Sequence, residues 1–119
     1  MSNKKNEQRL PPQSIESELA VLGCILIEPQ SFSKALHFIN KDSFYKKAHS
    51  TIFIAMSELF DNSESIDSIT LTEKLKEKKQ LEAVGGAYFI TGLSSSAPTA
   101  SNVEYYAKIV KEKAILRKV

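Results

Sequence analysis

At 119 residues the chain has room for one domain and not two. A hydrophobic content of 42% and a charged content of 25% exclude wholesale disorder, and the single cysteine, Cys24, excludes an internal disulfide or a multi-cysteine zinc site. The net charge of +2 gives little long-range pull on DNA or anionic lipid, and the glycines (Gly23, Gly85, Gly86, Gly92) are not spaced for a phosphate-binding P-loop.

Residues 1–10 are polar, charged and without periodicity, and read as a flexible arm. No apolar signal-peptide core is visible there. The longest apolar run, Leu19 to Ile27, has nine residues, about half of what a bilayer span needs. The expected compartment is therefore the cytoplasm. Pro11-Pro12 bars an earlier helix start. Ser14 is a good N-cap, with Glu16 and Glu18 in the first turn, where the helix dipole favours carboxylates. Ile15, Leu19, Leu22 and Leu26 follow at helical spacing. From Leu19 the pattern is apolar on nearly every side, as in a central helix, and Pro29 ends it. Gly23 costs this helix about 1 kcal/mol against alanine, so close approach of a neighbouring helix is expected there.

A second helix is expected over about 30–39, with Phe32, Ala35, Leu36 and Ile39 on one side and Asn40 as its stop. Asp42-Ser43 reads as the cap of a third helix. It opens with Phe44-Tyr45 and continues through His49, Ile52, Phe53, Met56, Leu59 and Phe60. A polar loop, 61–65, leads to Asp67 or Ser68 as cap of a fourth helix carrying Leu71 and Leu75, with Lys74, Lys76, Lys78 and Lys79 outward. The stretch from Ile66 to Leu71, rich in Ile and Thr, has no partner strand and reads as the start of this helix. Gly85-Gly86 breaks the chain before a fifth helix, Ala87 to about Leu93, and 94–98 is loop. Thr99 or Ser101 caps a sixth. In it Val103, Tyr106, Ala107, Val110 and Ala114 form one apolar stripe, and Tyr105, Ile109 and Leu116 form a second that a small core does not need. The expected fold is all-α, about six helices over 11–119, and the last pattern reads as running on into a longer protein.

Candidate chemistry is sparse. His37 and His49 have no carboxylate at i+3 or i+4, so His49, on an apolar helix face, reads as a hydrogen-bonded structural residue rather than a metal ligand. Glu16 and Glu18 do not face each other on a helix and read as dipole and capping residues. Cys24 reads as a small buried hydrophobe, and no nucleophile–base–orienter set is present. The lysines at 74–79 alternate with Glu73 and Glu77 and lack aromatic neighbours for base stacking, which favours a solvated face over a nucleic-acid site. A helix-turn-helix regulator, the competing reading, would want Arg, Asn or Gln at the start of a recognition helix, and the chain has two arginines. Residues 83–103 carry no formal charge yet hold Tyr88, Phe89, Ile90 and Leu93. That stretch is either core or the docking face for a partner.

Taken in order, Pro11-Pro12-Gln13-Ser14-Ile15-Glu16-Ser17-Glu18, Val21-Leu22-Gly23, Asp42-Ser43-Phe44-Tyr45, His49 with Ile52-Phe53, and Ile66-Asp67-Ser68-Ile69-Thr70-Leu71 make a recognisable series. It continues with Val84-Gly85-Gly86, Ala97-Pro98-Thr99-Ala100, Asn102 and Tyr105-Tyr106-Ala107-Lys108-Ile109-Val110. The series resembles the N-terminal domain of bacterial replicative DNA helicases of the DnaB type over about residues 10–119. Cys24, where the family often has glycine or another small residue, and Lys46-Lys47, in a variable loop, depart from it.

The resemblance implies an interaction domain of an ATP-driven hexameric ring that unwinds duplex DNA 5′ to 3′ at the replication fork, near the nucleoid. It implies that no cofactor is held in this chain, with ATP and Mg belonging to a C-terminal RecA-like motor domain that the chain lacks. It implies a helical bundle followed by a helical hairpin, of which the sixth helix is the start. Tyr105, Ile109 and Leu116 would then pack between subunits in a trimer-of-dimers collar, and Tyr88, Phe89 and Leu93 would lie in the region that receives the C-terminal domain of primase. The further partners implied are a helicase loader and single-stranded DNA through the full ring.

Overall fold

The computed structural model describes residues 10–97 and 102–119. Seven α-helices are present among them, and no strand: α1 (Ile15–Ile27), α2 (Ser31–Leu36), α3 (Lys47–Asp61), α4 (Ser68–Glu77), α5 (Leu81–Val84), α6 (Gly86–Gly92) and α7 (Val103–Arg117). Two 3-10 turns, Lys41–Ser43 and Leu93–Ser96, join them. Residues 1–9 of the expected arm and the expected caps Thr99 and Ser101 lie outside the described residues.

Helix α1 is the axle. Ser14 caps it by accepting from the Ser17 amide, and Glu28 closes it one residue before Pro29. Every residue from Ala20 to Ile25 is buried, as an apolar pattern on all sides requires. Around it pack α7, the turn Leu93–Ser96, α3 and α2. A file of aromatic rings crosses the other half of the core. Phe60 stacks on Phe32 at 4.9 Å, Phe32 on Phe53 at 5.1 Å, and Phe53 on Phe44 at 5.1 Å. Leu71 and Leu75 of α4 and Ile90 of α6 close the core, each burial contributing about 1.5–3 kcal/mol.

Gly23 meets the neighbour expected of it, although that neighbour is a 3-10 turn rather than a helix. A Cβ built there would lie 2.6 Å from the Leu93 carbonyl oxygen and 3.2 Å from the Ala97 nitrogen. Asp67 caps α4 by accepting from the Ile69 and Thr70 amides, while Thr70 Oγ1 accepts the Asp67 amide in return, a capping box worth about 1 kcal/mol.

Three expectations are corrected. Helix α2 stops at Leu36, and Asn40 begins rather than ends an element: its side chain accepts from the Asp42 amide to cap the turn Lys41–Ser43, and its own amide donates to Ser43 Oγ. Asp42-Ser43 is therefore not the cap of the next helix. Phe44 is extended, and α3 begins only at Lys47, with no side chain of its own segment capping it. Residues 94–96 are not open loop but most of a 3-10 turn, and a further short helix, α5, precedes Gly85. The break itself falls as expected, with φ of 123° at Gly85 and 84° at Gly86, values open to glycine.

Candidate protein-interaction surface

Helix α7 carries apolar residues on two sides. Val103, Ala107 and Val110 are buried, with Tyr106 half-buried beside them. Turned away from the core, Tyr105 is 62% exposed and Leu116 46%. Ile115, which the sequence pattern did not single out, is 53% exposed. Tyr105 and Ile109 come together in a groove of about 390 Å³ with Tyr106, Ser96 and the α1 residues Glu16, Ser17 and Ala20. The Tyr105 and Tyr106 rings meet edge-on at 5.6 Å. Leu116 lies farther along, in a shallower groove of about 220 Å³ beside Ile115, Lys108, Lys111 and Glu112.

The three residues of the uncharged stretch separate. Tyr88 projects almost fully into solvent, at 93% exposure. Phe89 is half-buried against the core, its ring folded back over Gly85, where an added Cβ would stand 3.0 Å away. Leu93 is a correction: at 1% exposure it belongs to the core and presents nothing to a partner. The stretch is thus core and surface at once, with the pair Gly85-Gly86 setting which residue of α6 points outward.

Glu18 is the residue whose role sequence reasoning missed. It is 1% exposed, and its carboxylate accepts from the Tyr45 amide at 2.6 Å and the Lys46 amide at 3.4 Å. Its Oε1 lies within hydrogen-bond distance, 2.7 Å, of Nδ1 of His49, itself buried. Glu18 thus ties the segment just before α3, at the Tyr45 and Lys46 amides, to α1, beside the end of α3 where the dipole favours a negative charge. Glu16, one turn-face away, is exposed and keeps only the dipole role expected of both. His49 is the structural histidine expected from its apolar face, and His37 is exposed.

Cys24 is fully buried, and burial, followed by the nearby Glu28 charge, pushes its thiol up to about 11, which leaves it protonated at neutral pH. The α4 lysines are bound up with acids: Lys74 with Glu77 and Lys76 with Glu73 at 3.4 Å, and Lys78 with Glu58 at 2.8 Å. A face whose positive charges are matched in this way offers little to phosphates. Among the described residues no three His, Cys, Asp or Glu side chains gather as a metal site would require, and no helix there is long and apolar enough to cross a membrane. What this surface can do chemically is bury apolar area against another protein.

Comparison with known proteins identifies the family. Residues 10–112 match the family model of the DnaB-like helicase N terminal domain. The chain is 47% identical over 111 residues to replicative DNA helicase DnaC of Bacillus subtilis, covering 93% of this chain and 24% of that protein. It is 44% identical over 112 residues to replicative DNA helicase DnaB of Geobacillus stearothermophilus, covering 94% and 25%. It therefore spans about a quarter of the length of these curated relatives. Its fold superposes on the crystal structure of the N-terminal domain of DnaB helicase from Mycobacterium tuberculosis with a TM-score of 0.89 at 36% identity, covering 92% of this chain and 79% of that one. With its helices, its buried core and its sequence all in agreement, the chain belongs to the family of DnaB-like helicase N-terminal domains.

Proposed function

We propose that this chain is the assembly and docking module of a cytoplasmic replicative helicase. Unwinding would be driven by ATP and Mg in a motor domain elsewhere in the protein, and the module would bring subunits together and receive primase and a loader. The observation that carries this reading is the two-sided α7: one stripe is satisfied by α1, and a second, Tyr105, Ile109 and Leu116, lies outside the core. Apolar side chains left outside the core on one side of a helix favour a protein partner. The helix-turn-helix alternative draws no support from α4, where the lysines are paired with glutamates.

The test is made in the full-length protein. Ile109→Asp combined with Leu116→Asp should loosen the ring, raising the concentration at which subunits dissociate by about tenfold or more in sedimentation velocity, with helical content unchanged. An unaltered hexamer would refute the role given to the stripe. Primase docking is tested separately. Tyr88→Asp should weaken binding of the cognate primase C-terminal domain by about tenfold in calorimetry, without loss of folding, because Tyr88 touches almost nothing in its own chain. Unchanged affinity would remove α6 from the docking face. In isolation the chain should be monomeric or weakly dimeric.

A further inference from the structure

Arg117, in the last turn of α7, reaches across the molecule. Its Nη1 donates to the Pro12 carbonyl at 2.9 Å and its Nη2 to the Ser43 carbonyl at 2.8 Å, and its guanidinium lies 5.5 Å from the centre of the Tyr45 ring. From the opposite side Glu18 holds the amides of Tyr45 and Lys46. The segment Ser43–Lys46 is thus gripped with matched polarity, carbonyl toward the cation and amides toward the anion. Helix α7 has no comparable hold in its outer half. Its buried residues end at Val110, and Ile115 and Leu116 face solvent.

We propose that Arg117 is a latch: it fixes the direction of the outer half of α7 by tying it to the Ser43–Lys46 segment and to the segment before α1. The planar fork suits this task, since one guanidinium satisfies two carbonyls that lie 105 and 74 residues away in sequence and stacks on a ring as well. With the latch closed, Leu116 is held in line with Tyr105 and Ile109. With it open, the two last turns of α7 keep the helix's own hydrogen bonds and the half-buried Lys113 and Ala114, but no fully buried side chain, and short helices with so little packing are marginal in water.

Native-state amide hydrogen exchange on the 119-residue chain tests this. In Arg117→Ala the amides of residues 112–117 should exchange about tenfold faster or more, while those of α1 and α3 keep their rates and Tyr45 and Lys46, still held by Glu18, stay protected. Arg117→Lys, whose single ammonium does not reproduce the fork, should fall between wild type and Arg117→Ala. Unchanged exchange at 112–117 would overturn the latch, because packing through Val110 would then suffice to hold the helix. An even loss of protection over all helices would also overturn it, making Arg117 a general stabiliser. The readout concerns one isolated chain, so either failure leaves the assembly reading standing, and failure of ring assembly leaves the latch standing.

Discussion

Glu18→Ala should lower the thermal midpoint of the domain by roughly 12–20 °C, the equivalent of about 3–5 kcal/mol in a domain of this size. Three groups meet that one carboxylate: the amides of Tyr45 and Lys46 and Nδ1 of His49. His49 is buried and the two amides are partly so, and each polar group orphaned away from water costs about 1–3 kcal/mol. Glu18→Gln, which keeps one carbonyl oxygen of the same shape, should lose less. Glu16→Ala, on the exposed side of the same turn, should cost a few tenths of a kcal/mol through the dipole alone. Thermal unfolding followed by circular dichroism ranks the three variants. If Glu18→Ala fell no further than Glu16→Ala, the tie from Glu18 to the Tyr45–Lys46 segment would have no energetic meaning.

The second large effect belongs to Gly23. Placing alanine in a helix ordinarily gains about 1 kcal/mol over glycine. At this position the new Cβ would sit 2.6 Å from a backbone carbonyl oxygen, that of Leu93, which cannot rotate away as a side chain would. Overpacking of this kind costs about 1–3 kcal/mol and more for larger groups. Gly23→Ala should therefore be less stable than wild type in urea unfolding, and Gly23→Val should lose about 3 kcal/mol or more, a large part of what holds a domain folded. An alanine variant more stable than wild type would show that the turn Leu93–Ser96 yields at little cost.

These two positions mark where local reasoning reaches and where it ends. Caps that sit next to their helix were legible: Ser14 for α1 and Asp67 for α4 are the acceptors within two or three residues of the amides they serve. Pro29 and Gly85-Gly86 likewise stop their elements for reasons internal to the residue. Helix α3 was placed too early because Asp42 and Ser43, which have the look of a cap, serve the turn Lys41–Ser43 instead. Glu18 stands 27 residues before the Tyr45 amide it receives, and no periodicity carries that information. The same separation hid the partner of His49, although its apolar helix face already marked it as structural. Helix α5, four residues long, is too short for a hydrophobic period to show. The outward stripe of α7 was visible because fifteen residues give four turns on which two apolar lines can be told apart. Which of Tyr88, Phe89 and Leu93 faces outward was not, since it depends on the positive φ angles at Gly85 and Gly86, which set the roll of α6.

The Arg117 to Pro12 hydrogen bond also decides how the domain meets mechanical force. The two residues are 105 apart in sequence and one hydrogen bond apart in space. A pull applied to the chain on both sides of the domain is therefore borne first by this contact, across its length rather than along the helices. Strain of that kind opens bonds one after another, starting with the guanidinium and moving down α7. The first turns of that helix would yield last, because Val103, Ala107 and Val110 are part of the core.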